Sequence, residues 1–338
     1  MQEANRDLFP TDETISLFET VRPLLVNKLV DDAFKKHNDV SVAAKKIYHS
    51  LGRIATILIA ISAIYTVADA LVIPAYSGMN LVAAVIGLAA GLGIVIQIYI
   101  LVTNQKREWL LNRYASERLR AIKFQAFLLA STASDTDDLE VKAKAYAQEK
   151  VTQLANELNS DMAALDRFTP SQALQLVEIP NKPVNPDLEQ SAKAAYQELR
   201  VVYQKRFADS ELRRLDNQQR VINTSADLLY LLASFLVFGS LVVKVASSGG
   251  AGLLGNWLDF LAVTTFIIGI SKEILENAAL GEQSKIRFEQ YGKDLSEIER
   301  DLANPKVKLR SIIEQTERVA LDELDDFCRA SQRINYRL

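Results

Sequence analysis

Four polar side chains stand inside otherwise apolar sequence: Asp69, Gln97, Lys244 and Asp259. A charge in that setting is costly unless it finds a partner or reaches water, so each is a candidate for chemistry. Asp69 lies 15 residues into the run 54–73, and Lys244 lies 16 residues beyond Leu228, at the end of the run 228–243. Both runs head the same way, so at about 1.5 Å of rise per residue the two opposite charges reach a similar depth. Asp259, near the start of the run 253–270, is at comparable depth, and Gln97 is the strong hydrogen-bonding side chain of the run 81–102. The four form a candidate intramembrane polar pair or ring lining a conduit. The competing reading is that the charges only snorkel to a membrane surface.

Other residue patterns point away from catalysis. His37 and His49 are the only histidines, and neither belongs to a metal-binding spacing, so both read as solvated surface or headgroup contacts. The stretch Gly87-Leu88-Ala89-Ala90-Gly91-Leu92-Gly93 has no preceding strand and no Lys-Ser/Thr, so it is no phosphate loop. Ala83, Gly87 and Gly91 instead recur at steps of four, a small-residue ridge that lets two helices approach, within the hairpin by preference or between protomers. Trp109, Arg113 and Glu117 also share one helix face, where Arg113 and Glu117 are spaced for an ion pair worth about 0.2–0.5 kcal/mol. Packing is the better reading there than ligand binding. With no nucleophile beside a base, the sequence indicates no enzyme, no cofactor and no metal site.

The elements that carry these residues are apolar helices. Residues 54–73 and 81–102 are runs of 20 and 22 residues separated by the turn 74–80. A helix of about 20 residues rises roughly 30 Å, the thickness of a bilayer core. Residues 228–243 and 253–270 form a second, shorter pair around the neutral loop 246–252. The expected fold is therefore all-α and integral to a membrane, with four transmembrane helices as two tandem helical hairpins and long cytoplasmic helical extensions.

Composition agrees: the 338 residues are 49% hydrophobic yet 24% charged, with mean hydropathy +0.03. A net charge of -3 offers no global field for nucleic acid. The start, Met-Gln-Glu-Ala-Asn-Arg-Asp, lacks a basic segment followed by an apolar one, so the N-terminus is expected to stay cytoplasmic. Cys328 is the only cysteine, which excludes an internal disulfide. Of the 39 Lys and Arg residues, only Lys244 falls within either hairpin, so the positive-inside rule places both termini in the cytoplasm of a multi-pass inner-membrane protein.

Along the chain, residues 1–36 read as a helix split by Pro23, and 40–53 as an amphipathic approach with Lys45, Lys46 and Arg53 as a basic cuff. No Gly or Pro occurs from Thr103 to Trp109, so the second span is expected to continue as one long helix. Between Thr103 and Phe127 six basic residues outweigh two acidic ones, a balance that belongs beside an anionic leaflet. Ser131 to Thr136 is a break, 137–168 a polar helix, and the proline-rich 169–186 a boundary. Asn185-Pro186-Asp187 restarts a helix, 271–302 is another, Asn304-Pro305 stops it, and 306–332 ends the chain. The resulting division is an N-terminal helix (1–39), a first two-span repeat (40–168), a linker (169–186), a second repeat (187–303) and a C-terminal helix (304–338).

Similarity between the halves supports duplication. Glu117 to Gln125 resembles Glu282 to Glu289, and Phe34-Lys35-Lys36 resembles Tyr203-Gln204-Lys205, at offsets of about 164 and 169 residues. The approach Lys45-Lys46-Ile47-Tyr48, the hairpin, and Trp109, Arg113 and Glu117 on the exit helix resemble the SLATT superfamily, bacterial two-transmembrane proteins associated with nucleotide-signalling and nucleotide-sensing conflict systems. That resemblance implies an oligomeric inner-membrane effector, pore-forming or depolarising, in antiviral defence. The partners it implies are the lipid bilayer, further copies of the chain and a cytoplasmic nucleotide-signalling or sensor protein. A non-conducting scaffold that recruits partners through its cytoplasmic helices, or a small housekeeping channel or transporter, are the alternatives.

Overall fold

The computed structural model describes residues 5–72, 80–159, 165–180, 182–246, 253–278, 281–302, 304 and 307–333. Among them there are helices and no strands. Short α1 (Asp12–Leu17) and α2 (Arg22–Leu25) lead into α3 (Lys28–Leu71), followed by α4 (Asn80–Val102), α5 (Gln105–Gln125) and α6 (Thr136–Leu158). Then come α7 (Pro170–Ala173), α8 (Pro186–Tyr196), α9 (Tyr203–Ala246), α10 (Leu253–Ala278), α11 (Gly281–Leu302) and α12 (Leu309–Arg333).

Local chemistry sets the boundaries. Pro23 sits in the first turn of α2, which it can enter but not precede, and α3 begins anew at a cap where the Asn27 side chain accepts from the Val30 N–H at 3.3 Å. The first stripe of apolar residues therefore does not belong to one helix ending near residue 36: α3 starts at Lys28 and runs through the basic approach into the apolar run. Asn185 caps α8 by accepting from the Asp187 and Leu188 N–H groups, with Pro186 at the first position. The expected unbroken exit helix is corrected. Asn104 adopts φ 54°, a left-handed conformation that asparagine tolerates, and it ends α4 before α5 starts. A break needs no Gly or Pro when Asn can supply it.

The proline-rich stretch packs against its neighbours: the Val184 N–H donates to the Ser131 carbonyl, Asn185 to that of Ser134, and Gln125 to that of buried Ala173. Between α8 and α9 the chain makes a π-helical turn, Gln197–Val202, which buries Leu199, Arg200 and Val201.

The halves match in helix lengths: α3 and α9 have 44 residues each, α4 and α10 have 23 and 26, α5 and α11 have 21 and 22. Their first residues, 28 and 203, 80 and 253, 105 and 281, lie 175, 173 and 176 apart. The sequence matches at 164 and 169 are out of step with this, since Glu117 is the thirteenth residue of α5 and Glu282 the second of α11. What the halves share is helix length and spacing rather than those short matches.

The residues form two compact units, and both are interleaved in sequence. One comprises Met1–Ala44, Arg107–Arg214 and Gln283–Gln332; the other comprises Lys45–Lys106, Leu215–Glu282 and Arg333–Leu338. The units thus cut across the sequential segments, because α3 and α9 each contribute their polar part to one unit and their apolar part to the other. The first unit has an aromatic core in which Phe124 and Phe127 stack at 5.8 Å and both meet Tyr196 edge-on. Two helices are long and apolar enough to cross a membrane, Lys28–Leu71, whose apolar part belongs to the second unit, and Leu81–Val102, while the apolar stretch Leu228–Val243 is shorter. Their most apolar windows are 17% and 6% buried, the reverse of a soluble core helix.

Candidate functional site

The first unit is built around buried charge. Arg200, turned inward by the π-helical segment, grips Glu317 of α12 with two bonds, Nε to Oε1 at 2.8 Å and Nη2 to Oε2 at 2.9 Å. Tyr196, one turn earlier, donates its hydroxyl to the same Oε1 at 2.9 Å. Both charged partners are buried, Arg200 to 2% exposure and Glu317 to 0%. Arg200 also lies over the Phe124 ring at 4.8 Å, which covers its open face.

From Arg200 the charge continues inward. Asp7, itself buried, stands 3.9 Å from Arg200 and 3.4 Å from Arg120, and it accepts from Gln204 at 2.8 Å. Arg120 pairs with Glu117 at 3.1 Å, and Glu117 with Arg113 at 2.8 Å. Burial alone would lift the Glu117 carboxyl, but Arg113, Arg120 and Arg200 outweigh it and hold it below the ordinary carboxylate range. Burial likewise opposes charge on Arg200, yet Glu317 keeps its guanidinium well above the usual value. The arrangement alternates sign from Glu317 through Arg200, Asp7, Arg120 and Glu117 to Arg113, which is what makes burial of so many charges tolerable.

A second buried pair lies nearby in sequence. The Lys123 ammonium donates to Asp31 and to the Leu8 carbonyl, both at 2.6 Å. Here burial wins: it raises the Asp31 carboxyl and lowers the Lys123 ammonium. A pair at similar helix positions joins α9 to α11, Lys205 with Glu299 at 2.6 Å, with its polarity reversed. Lys123 and Glu299 are each the nineteenth residue of their helices, and Asp31 and Lys205 the fourth and third of theirs.

The exit-helix residues fall into this unit. Trp109 is buried and meets Phe327 edge-on at 5.9 Å, and its carbonyl accepts from Ser41 at 3.3 Å. Arg113 and Glu117 belong to the ionic core. The histidines are not simply solvated: His37 donates from Nδ1 to Asn112 at 2.8 Å, and burial, with Lys45 and Arg53, pushes His49 down to about 4. The expected basic surface of residues 103–127 is corrected as well. Arg113, Arg118, Arg120 and Lys123 are spent on Glu117, Glu157, Asp7 and Asp31.

In the second unit the polar residues of the apolar runs take different positions. Asp69 is exposed, and among the described residues it makes no hydrogen bond or ion pair. Asp259 is half-buried and accepts from the hydroxyl of buried Ser240, while the amide nitrogen of Gln97 is buried and, among the described residues, has no hydrogen-bond partner. The Lys244 side chain lies outside the described residues, and with it the pairing to Asp69. The ridge within the hairpin is corrected: a Cβ at Gly87 or Gly91 meets nothing within 4 Å, and Ala83, Gly87 and Gly91 are all exposed. Close approach to α3 runs instead through Gly93, where a Cβ would lie 3.0 Å from Ile59 and 3.4 Å from the Ala55 carbonyl.

Comparison with family models, with curated proteins and with solved structures returned no match. Among the described residues no cluster of His, Cys, Asp and Glu could hold a metal ion. The ionic core escaped sequence reading because its members come from residues 7, 117, 120, 200 and 317, each of which reads locally as the polar face of a helix. The one local signal was the density of Arg in α5 without a matching density of exposed partners.

Docking of α12 has a direct test. Cys328 is 2% exposed and burial pushes its thiol up to about 12. Since the thiolate is the nucleophile, alkylation of the folded full-length chain at pH 8 should be roughly a thousandfold slower than in denaturant. Rapid labelling of the folded chain would show that α12 is not held in place.

Proposed function

We propose that this chain is an oligomeric, multi-pass inner-membrane effector with cytoplasmic termini, pore-forming or depolarising, acting in bacterial antiviral defence. In this reading both hairpins cross the bilayer, and the ionic unit receives a signal from a cytoplasmic partner. The observation that carries it is the open ridge: α4 has already met α3 through Gly93, yet presents Ala83, Gly87 and Gly91 on an exposed face of an apolar helix. Small residues at that spacing suit close packing of a further helix in lipid, here that of a second copy. The resemblance to the SLATT superfamily supplies the defensive role.

Gly87→Leu with Gly91→Leu should leave the thermal midpoint of the monomer in detergent near that of the parent while abolishing oligomers and dye-reported depolarisation in cells. Gly93→Leu should destabilise the hairpin itself, by about 1–3 kcal/mol of overpacking. A double variant that assembles and depolarises like the parent would remove the ridge from the reading. Topology is tested by cysteines at positions 77, 248 and 160, which lie outside the described residues, in a Cys328→Ala background: impermeant reagent should label the first two from outside and not the third.

A further inference from the structure

One cationic surface outside the ionic core lies on α3. Lys46, Ser50 and Arg53 are exposed at steps of four and three, on one outward face of the helix. One turn on, the same face continues as Ile57 and Ile61, 49% and 47% exposed. No acidic residue occurs between Asp39 and Asp69, so no carboxylate on this helix opposes the two charges. The opposite face is used for packing, with Tyr48, Gly52 and Ala55 buried.

Two cations around a hydroxyl, followed along the helix by bare aliphatic side chains, match a phosphodiester joined to acyl chains. We propose that this face of α3 is a binding site for an anionic phospholipid, with Lys46, Ser50 and Arg53 on the phosphate and Ile57 and Ile61 against the chains. This rests on the membrane reading above and adds a discrete lipid partner to it. The site belongs to the first hairpin alone: at the 175-residue spacing of α3 and α9, the counterparts of Lys46 and Arg53 are Val221 and Leu228, the latter preceded by Asp227. The duplicated halves therefore differ in what they ask of the membrane surface.

The test uses purified full-length protein in zwitterionic detergent, with the thermal midpoint followed as phosphatidylglycerol, phosphatidylcholine or inorganic phosphate is added. Phosphatidylglycerol should raise the midpoint, and the other two should not. In Lys46→Gln/Arg53→Gln the half-saturating mole fraction of phosphatidylglycerol should rise about 30-fold, roughly a factor of five for each charge removed. Lys46→Arg/Arg53→Lys, which keeps both charges, should respond like the parent and so separates lost binding from damaged folding. A parent-like response in the Gln variant, no response in the parent, or an equal response to inorganic phosphate would each overturn the assignment. Alkaline carbonate extraction keeps the two readings apart: parent and variants should stay with the membrane, and release of the parent would overturn the membrane reading and the site together.

Discussion

Glu317→Leu should cost about 3–5 kcal/mol, the typical effect of leaving one member of a buried ion pair uncompensated. Arg200 would keep its charge beside the Phe124 ring with Asp7 3.9 Å away as its nearest acid, and Tyr196 would lose the acceptor of its hydroxyl. Arg200→Met combined with Glu317→Leu should recover part of that loss, because no unpaired guanidinium is left, while the Tyr196 hydroxyl still lacks its acceptor and Asp7 loses a cation. Chemical denaturation of the full-length chain in detergent, followed by far-UV circular dichroism, gives all three values. A single-variant cost below about 1 kcal/mol would mean that water reaches the pair. The acid limit has a sign as well. Glu117 has a folded-state value below its unfolded one, so its contribution is complete above the ordinary carboxylate range and is lost as pH falls through the depressed value.

Asp31→Lys should be comparably damaging, by about 3–5 kcal/mol, since it sets two ammonium groups together at a buried site. Adding Lys123→Asp restores opposite charges in reversed order, and a positive coupling energy in the double-mutant cycle is the expected result. Recovery should be incomplete, because a carboxylate at position 123 faces the Leu8 carbonyl to which the lysine donates. At the counterpart, Lys205 and Glu299 are about one-third exposed, so Lys205→Ala should cost no more than about 1 kcal/mol. Equal costs at the two pairs would contradict the difference in burial.

Helix identity was legible wherever a local signal decides it. Asn185 and Pro186 announce α8, Pro23 divides the N-terminal segment, and the runs at 54–73 and 81–102 announce the apolar parts of α3 and α4 by length and composition. The break at Asn104 was not, because a left-handed asparagine has the same letter as a helical one. The ridge showed its spacing but not its direction: facing outward or inward depends on which side of α4 meets α3, and Gly93 rather than Gly87 or Gly91 settles that. The ionic core was invisible for a related reason. A carboxylate at 317 and a guanidinium at 200 look solvated until the fold brings them to 2.8 Å.

The reversed polarity of the pairs Asp31–Lys123 and Lys205–Glu299 bears on how a chain with two sets of like-length helices avoids misassembly. Two long helices and two exit helices of nearly equal length admit, by length alone, a crossed arrangement, α3 with α11 and α9 with α5. In that arrangement Asp31 would face Glu299, and Lys205 would face Lys123. Repulsion at both contacts raises the crossed topology above the correct one, so the gap between them grows without any gain in native contacts. Helices of like length create a competitor fold, and inverting one salt bridge disfavours it.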